Sequence, residues 1–429
     1  MKRPIRTVLF VMVVAGVASG LFAQSEPDGA MTLDRAVARA LESNPALEAA
    51  ASGVSAAESR IGQAGLWPNP DLELEVENFG GGNDLRGFES AETTILISQT
   101  LPLGGAPGRR RAVAESDHAL AGRDLEALRL DVIAGTTSAF YAVTAAQQRL
   151  ELAGELLRLT ERFAEVVAIR VEAGKISPVE KTRAEIEVAT ARIRELRAGR
   201  ELGAARVLLA ANWASITPSF DRALGELPRP GPAPGIEDLR SMMSQSPEIR
   251  RISDQVERQQ RVVAFENSLR IPDLAVGAGP RRFEETGQSA WVALVGLSLP
   301  IFDRNQGERR AAEFDLERIE RDGESLQVAL EAELAVVVER MAAASGAAVA
   351  AETEVLPAAR MAMAAVETGY REGKFAFVDV IAAQRTLLEA SSLLVDSLEE
   401  YALTRTEMER LVGVSAGTAT GARTDGEQQ

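Results

Sequence analysis

The chain has 429 residues, one histidine and no cysteine, so disulfide and thiolate chemistry are excluded. Its formal net charge of −16 argues against nucleic acid as a partner, because nucleic acid selects basic surfaces. The apolar residues are mostly Ala, Leu and Val with few aromatics, a composition that favours long packed helices.

Taken in chain order, residues 1–23 read as a secretory signal peptide. Lys2, Arg3 and Arg6 precede an apolar run from Val8 to Phe22, followed by Ala23. The alternative is a membrane anchor, but the run is shorter than the roughly 20 apolar residues of a spanning helix. No later segment reads as a transmembrane helix.

Residues 24–217 form the first structural repeat. Thr32 is a helix N-cap, and helical spacing runs to Leu66 before Trp67-Pro68-Asn69-Pro70 stops it. In Asp71 to Asn78, Leu72, Leu74 and Val76 alternate with Glu73, Glu75 and Glu77, the period of a strand with one apolar and one wet face. After the loop Gly80-Gly81-Gly82-Asn83, Thr93 to Leu101 gives a second strand, so a hairpin spans about 71–101. Gly108 to Ala173 is then helical without a strong breaker, about 66 residues or about 100 Å. Its seam of Leu152, Leu156, Leu159, Phe163 and Val166 predicts lengthwise pairing with another helix. A turn at about 174–178 reverses the chain into a helix of about 35 residues ending near Asn212.

A connector at 218–235, rich in Pro and Gly, leads to the second structural repeat, 236–412. Asn44-Pro45 returns as Ser246-Pro247, Pro70-Asp71-Leu72 as Pro272-Asp273-Leu274, and Leu101-Pro102 as Leu299-Pro300. Ala173-Gly174-Lys175 with Val179-Glu180 returns as Glu372-Gly373-Lys374 with Val378-Asp379. The order and intervals hold over a period of about 200 residues, the mark of a whole-domain duplication. The second hairpin is expected at about 273–299, with its second strand at Trp291 to Leu299, then an unbroken helix from Gly307 to Glu372 and a turn at 373–377. Residues 413–429 read as a disordered tail.

Strands of this length with alternating faces fit a membrane barrel, although a soluble sheet on helices gives the same pattern. Four strands cannot close in lipid, so a barrel requires oligomerisation. Three copies give about twelve strands, while two would reach about eight.

These residues resemble the TolC-type outer-membrane efflux proteins across nearly the whole mature chain. The strongest parts are Gly174-Lys175-Ile176-Ser177-Pro178-Val179-Glu180 and the stretch Tyr370-Arg371-Glu372-Gly373-Lys374-Phe375-Ala376-Phe377-Val378-Asp379-Val380. Val76-Glu77-Asn78-Phe79-Gly80-Gly81, Ala91-Glu92-Thr93 and Ser98-Gln99-Thr100-Leu101 look like the cobalt-zinc-cadmium branch. The resemblance implies a mainly α fold with a small membrane β-barrel contribution: a duplicated helix, hairpin, long helix, helix unit. Its homotrimer would form a barrel of about twelve strands on a long periplasmic helical tunnel. It also implies the outer membrane of a Gram-negative bacterium, with a periplasmic adaptor (membrane fusion protein) and an inner-membrane resistance-nodulation-division pump as partners. The function implied is a passive duct, for divalent heavy-metal cations in this branch. Drug efflux and type I protein secretion are the alternatives in the same fold, and a periplasmic coiled-coil adaptor or scaffold the alternative in another class.

No catalytic, cofactor-binding or metal-binding set emerges. His118 stands alone in a charged helical stretch, whereas specific zinc or copper sites gather several His or Cys ligands, and no phosphate-binding glycine loop follows a strand. Glu73, Glu75 and Glu77 are candidates for a lumen acidic ring that attracts cations, or simply the polar face of any wet barrel. The resemblance places the periplasmic gate and adaptor tip at Gly174, Lys175, Glu180, Tyr370, Gly373, Lys374 and Asp379. It departs at Phe375, where the best-known members have a gate arginine, and at Ala382, where they have a second acid. Arg109 to Arg111, Arg309 and Arg310 are candidates for lipid headgroup contacts. Trp67, Phe79, Trp291 and Phe302 are candidates for aromatic belts.

Overall fold

The computed structural model describes residues 29–232 and 234–414. The expected signal peptide and the tail beyond residue 414 lie outside them. Strand β1 (Gly29–Thr32) leads into helices α1 (Leu33–Ser43) and α2 (Pro45–Ala64). The single helix expected from Thr32 to Leu66 is therefore two, and the break is at Asn44. Its carboxamide oxygen accepts from the Ala46 amide at 2.9 Å, starting a helix whose first residue is proline. Its Nδ2 donates to the Asn212 carbonyl at 2.9 Å.

The first hairpin is β2 (Asp71–Glu77) and β3 (Glu92–Pro102). Helix α3 (Ala106–Glu172) follows with 67 residues, about 100 Å. α4 (Pro178–Ala211) packs back along it, and α2 lies on α3 as well. Helices of 20 and 34 residues thus share one column of 67.

The connector is not a plain linker. Residues 220–224 form β4 (Phe220–Leu224), which pairs in parallel with β1. Phe220 and Ala223 are buried with Met31, Phe140, Leu209 and Trp213, so apolar burial pulls this segment onto the helices. Gln147 of α3 holds β4: its Nε2 donates to the Ala223 carbonyl at 3.1 Å and its Oε1 accepts from the Ala223 amide at 2.8 Å. A buried glutamine thereby completes the backbone pairing of an otherwise unpaired strand edge.

The second repeat contains α5 (Ile236–Met243), α6 (Pro247–Ser268), β5 (Asp273–Phe283), β6 (Ser289–Leu297) and α7 (Gln306–Ala350). A π-helical turn at Ala351–Val355 joins α7 to α8 (Leu356–Arg371). The unbroken helix expected here carries this bulge because Pro357 has no amide hydrogen and crowds the preceding turn. α9 (Phe377–Leu411) closes the repeat. The column Gln306–Arg371 contains a window of mean hydropathy 1.5, apolar enough by composition to cross a membrane. Yet Leu330, Leu334, Val337 and Met341 of α7 pack against Tyr401, Met408 and Leu411 of α9.

Arg410 joins four helices. From α9 it meets Asp131 of α3 at 3.4 Å, Glu248 of α6 at 3.2 Å and Glu333 of α7 at 3.3 Å. Half-exposed pairs contribute up to about 1 kcal/mol each, so this cluster orients the columns more than it stabilises them.

Both hairpins belong to one antiparallel sheet of four strands in the order β2-β3-β5-β6. β6 begins two residues before the expected Trp291 and ends at Leu297 rather than Leu299.

Candidate functional site

The sheet has two distinct faces. Register places Leu72 opposite Ile97 and Leu74 opposite Ile95, and all four side chains are exposed, as are Trp291, Val295 and Leu297. An exposed apolar face of this extent is the surface a lipid-facing sheet presents. On the other face Glu73, Glu75 and Glu77 lie opposite Leu96, Thr94 and Glu92. The expected acidic set is thus gathered on one side.

The set also has a cation that the sequence reading missed. Arg281 of β5 lies opposite Thr94 and reaches across β3. Its Nε donates to Thr94 Oγ1 at 2.8 Å and its Nη1 to Glu92 at 3.1 Å, while Nη2 stands 3.1 Å from Glu77 and 3.9 Å from Glu75. One guanidinium therefore faces three carboxylates, and no ion pair forms at Glu73 among the described residues. A signal was present: Ala275, Gly277 and Gly279 occupy alternate positions of the second repeat, and the same alternation continues to Arg281.

The arginines below the strands have protein partners. Arg110 donates to the carbonyls of Ala64 and Leu66 at 2.7 and 2.9 Å, and Arg109 to that of Ala264 at 3.2 Å. Arg111 pairs with Glu115 at 3.1 Å, Arg309 stands 3.9 Å from Glu313, and Arg310 lies over Phe314. Arg110 answers the free carbonyls where α2 ends, which accounts for it without lipid. Trp67, Phe79 and Phe302 are exposed at the ends of the sheet, while Trp291 sits within β6 opposite Pro280.

At the far end of the helices the two turns share one geometry. Gly174 has φ +65° and Gly373 φ +77°, conformations that glycine adopts at little cost. The Lys175 amide donates to the Arg170 carbonyl at 2.9 Å, and the Lys374 amide to the Gly369 carbonyl at 2.7 Å. With Gly174 bonded to Val171 and Gly373 to Tyr370, each turn is a Schellman motif. Both lysines are exposed, and Lys374 pairs with Glu372 at 2.6 Å.

The side chains differ between the two turns. Tyr370 is only 2% exposed, packed with Phe163, Val167, Phe377 and Val380. Its hydroxyl is buried without a hydrogen-bond partner that meets both distance and angle. Burial raises its pKa above the usual tyrosine value, and the nearby Arg170 charge opposes the rise. The Arg170 guanidinium lies 4.4 Å over the Tyr370 ring and donates to the carbonyls of Tyr370 and Arg371 at 2.8 and 3.0 Å. A residue of the first repeat thus caps the last turn of α8 in the second, adding a charge-assisted bond to a cation–π contact.

Asp379 accepts from the Ala376 amide at 2.8 Å, so one of its oxygens serves the start of α9. Glu180 pairs with Arg183 at 3.0 Å. Phe375, the first of the two departures from the resemblance, lies against Gly369, and a Cβ at Gly369 would overlap its ring. Ala382 brings no charge. Gly174, Lys175, Glu180, Tyr370, Gly373, Lys374 and Asp379 all fall at this end, and Arg170 is the link between the turns that sequence reasoning missed. A groove of about 710 Å³ runs between the turns, lined by Arg170, Lys175, Glu180, Arg183 and Tyr370 among others.

His118 lies half-buried within α3, and among the described residues no group of three or more His, Cys, Asp or Glu is placed to hold a metal.

The chain matches the outer membrane efflux protein family over residues 36–215 and 239–414. It is 32% identical over 388 residues to the cobalt-zinc-cadmium resistance protein CzcC of Cupriavidus metallidurans, covering 90% of this chain and 91% of that one. It is 27% identical over 270 residues to the nickel-cobalt-cadmium resistance protein NccC of Alcaligenes xylosoxydans xylosoxydans, 62% of this chain and 60% of that one. Among solved structures, the outer membrane protein VceC of Vibrio cholerae matches with a TM-score of 0.73 at 18% identity, covering 89% of this chain and 96% of that one. CusC matches with a TM-score of 0.75 at 16% identity, covering 89% and 92%. With the helical columns, the four-stranded sheet and both halves of the duplication matched, the chain belongs to the outer membrane efflux protein family.

Proposed function

We propose that three copies of this chain form the passive outer-membrane duct of a tripartite efflux system, and that its cargo is divalent metal cations. The observation that carries the cargo is the likeness to CzcC along nine tenths of both chains, including both hairpins and both turns. NccC, named for nickel, cobalt and cadmium, points the same way. The acidic face of the sheet suits a cation by electrostatic attraction rather than by coordination.

Trimerisation is supported by what one chain leaves incomplete. β2 and β6 are unpaired edges of a sheet whose outer face is apolar, and lipid does not tolerate unpaired strand edges. On α4, Val179, Ile186 and Ile193 recur every seven residues, with Val207 in step, and all are exposed. A seam of that period is covered by a neighbouring helix, here of a second copy. The six turns of the trimer form the periplasmic entrance. There Arg170 latches the two turns of each chain together, and an adaptor's helical hairpin engages their exposed backs at Lys175 and Lys374. The driving force comes from an inner-membrane resistance-nodulation-division pump.

Deleting the gene and measuring growth inhibition by zinc, cobalt, cadmium, nickel and copper alongside a panel of antibiotics tests the cargo. Sensitivity is expected to rise for metals and to stay unchanged for antibiotics. The reverse pattern would assign the duct to drug efflux.

A further inference from the structure

We propose that the π turn at Ala351–Val355 is the joint on which the entrance opens, because it lets α8 pack on α9 in either of two rotational settings. The inference rests on reading the two tip turns as the entrance of a duct and concerns what moves when that entrance opens.

The spacing of buried residues carries it. Along α7 and into the π turn, Leu334, Val337, Met341, Ala344, Ala348 and Ala351 are buried in steps of three and four, the rhythm of a helix lying along a partner. α8 continues that seam with Leu356, Ala359, Met363 and Tyr370, all buried, but the step from Ala351 to Leu356 is five. The π turn houses the extra residue and so brings the α8 seam round to α9. Each residue of an α-helix adds about 100° of rotation, so in a straight helix this seam would point away from α9 by about that angle.

A straight helix would present a different row instead. Continuing the steps of four and three from Ala351 leads to Val355, Ala358, Ala362 and Ala365, apolar throughout and exposed in the observed setting. Small residues let two helix axes come close, so this row also fits against α9, at a shorter interaxial distance. The large seam buries more apolar surface, whereas the small one needs no π turn, so a packing gain is set against a backbone gain. Pro357 supplies no amide hydrogen in either setting, and straightening the turn therefore gives up no backbone bond at that position.

The surroundings of α8 suit a part that turns. At its upper end the joint is anchored: Ala351 is buried, and Arg229 of the connector stands 3.6 Å from Glu352. Lower down, a cavity of about 400 Å³ opens between Arg360 of α8, Leu387 of α9 and Leu156 and Leu159 of α3, so the first repeat does not block α8 there. At the tip, the Arg170 bonds to the end of α8 and its contact with the Tyr370 ring hold the observed setting. Turning α8 by about 100° carries Tyr370 out from under Arg170 and breaks the link between the two turns. A partner engaging the turns opens the entrance by favouring the small seam over the large one.

The test removes the extra residue. Deleting Glu354 restores the step of four from Ala351 to the leucine after it, so the large seam meets α9 in a straight helix and the second setting is lost. The deletion variant, expressed in the knockout strain, should form heat-resistant oligomer at the wild-type level, dissociating at no lower temperature. Its tolerance of cadmium and zinc should nevertheless fall to that of the knockout. E354A keeps the residue count and should behave like the wild type. Wild-type tolerance with the deletion, or lost tolerance with E354A, overturns the proposal. If the deletion variant does not assemble, A362L decides: its side chain is exposed in the observed setting and too large for the close one, so it should assemble and lose tolerance. An assembled A362L with wild-type tolerance, or failure of both variants to assemble, overturns the proposal, since both are compatible with the observed setting. A wild-type gene that restores antibiotic rather than metal tolerance overturns the cargo reading alone, and the same comparison on antibiotics then judges the joint.

Discussion

Arg170→Ala is expected to raise the resting single-channel conductance of the purified duct and to let large antibiotics leak into cells that carry it. The arginine contributes two charge-assisted hydrogen bonds to the end of α8 and a cation–π contact to Tyr370. Together these amount to about 2–4 kcal/mol of attachment between the turns of one chain. The rest of each turn survives its loss, because the Schellman bonds at Gly174 and Gly373 are made by backbone alone. The change should therefore act on the relation between the turns while leaving each helix end intact. Arg170→Lys retains the charge but neither the planar stack nor the paired donors, so it should lie between the wild type and alanine. An alanine variant with wild-type conductance and wild-type antibiotic exclusion would place the latch elsewhere.

Gly279→Val is expected to abolish assembly, measured as loss of heat-resistant oligomer from the outer-membrane fraction. Any Cβ at Gly279 would overlap the backbone carbonyl of Ile95 on β3. Backbone cannot yield as a flexible side chain does, so the hairpins would have to separate where β3 pairs with β5. Next to Gly279, Pro280 offers no amide hydrogen, and pairing to Ile95 and Leu96 already lapses between Thr94–Arg281 and Ile97–Ala278. The cost should exceed about 4 kcal/mol, beyond most single substitutions. Gly296→Ala makes the matching control, since a Cβ there meets only the Ala275 methyl at 3.7 Å, an ordinary contact. A Gly279→Val protein that assembles like Gly296→Ala would show that the close approach of β3 and β5 is dispensable.

These two residues also show where sequence legibility ends. The alternation of Leu72, Leu74 and Val76 with three glutamates marks a strand and its wet face with no structure needed. Glycine before lysine at both turns marks the reversal of the helices just as directly. Such patterns are local, and backbone stereochemistry enforces them. The break at Asn44-Pro45 was legible too, as an N-cap followed by proline, but helical spacing on both sides hid it. Pro357 was equally visible as a helix breaker, and the π turn ahead of it absorbs the fault without ending the column.

Long-range pairings were not legible. Arg170 and Tyr370 are 200 positions apart, and nothing local distinguishes Arg170 from the other arginines of α3. Arg281 reaches Glu77 only because the two hairpins join through β3 and β5, an adjacency that duplication alone does not dictate. Strand β4 was read as linker because proline and glycine dominate the segment, while Phe220 and Ala223, the residues that bury, are few. The role of Asp379 illustrates a different limit. A motif match placed it at the gate, whereas the fold employs one of its oxygens at the start of α9, where Ala376 offers no side-chain acceptor of its own.

The most direct measurement of the central claim is the copy number and symmetry of the particle purified from outer membranes in detergent, by native mass spectrometry and electron microscopy. Three chains are expected, with a closed barrel of about twelve strands above a long helical tunnel and the six turns at its far end. A monomer, a dimer, or a particle whose strand edges at β2 and β6 remain unpaired would contradict the account.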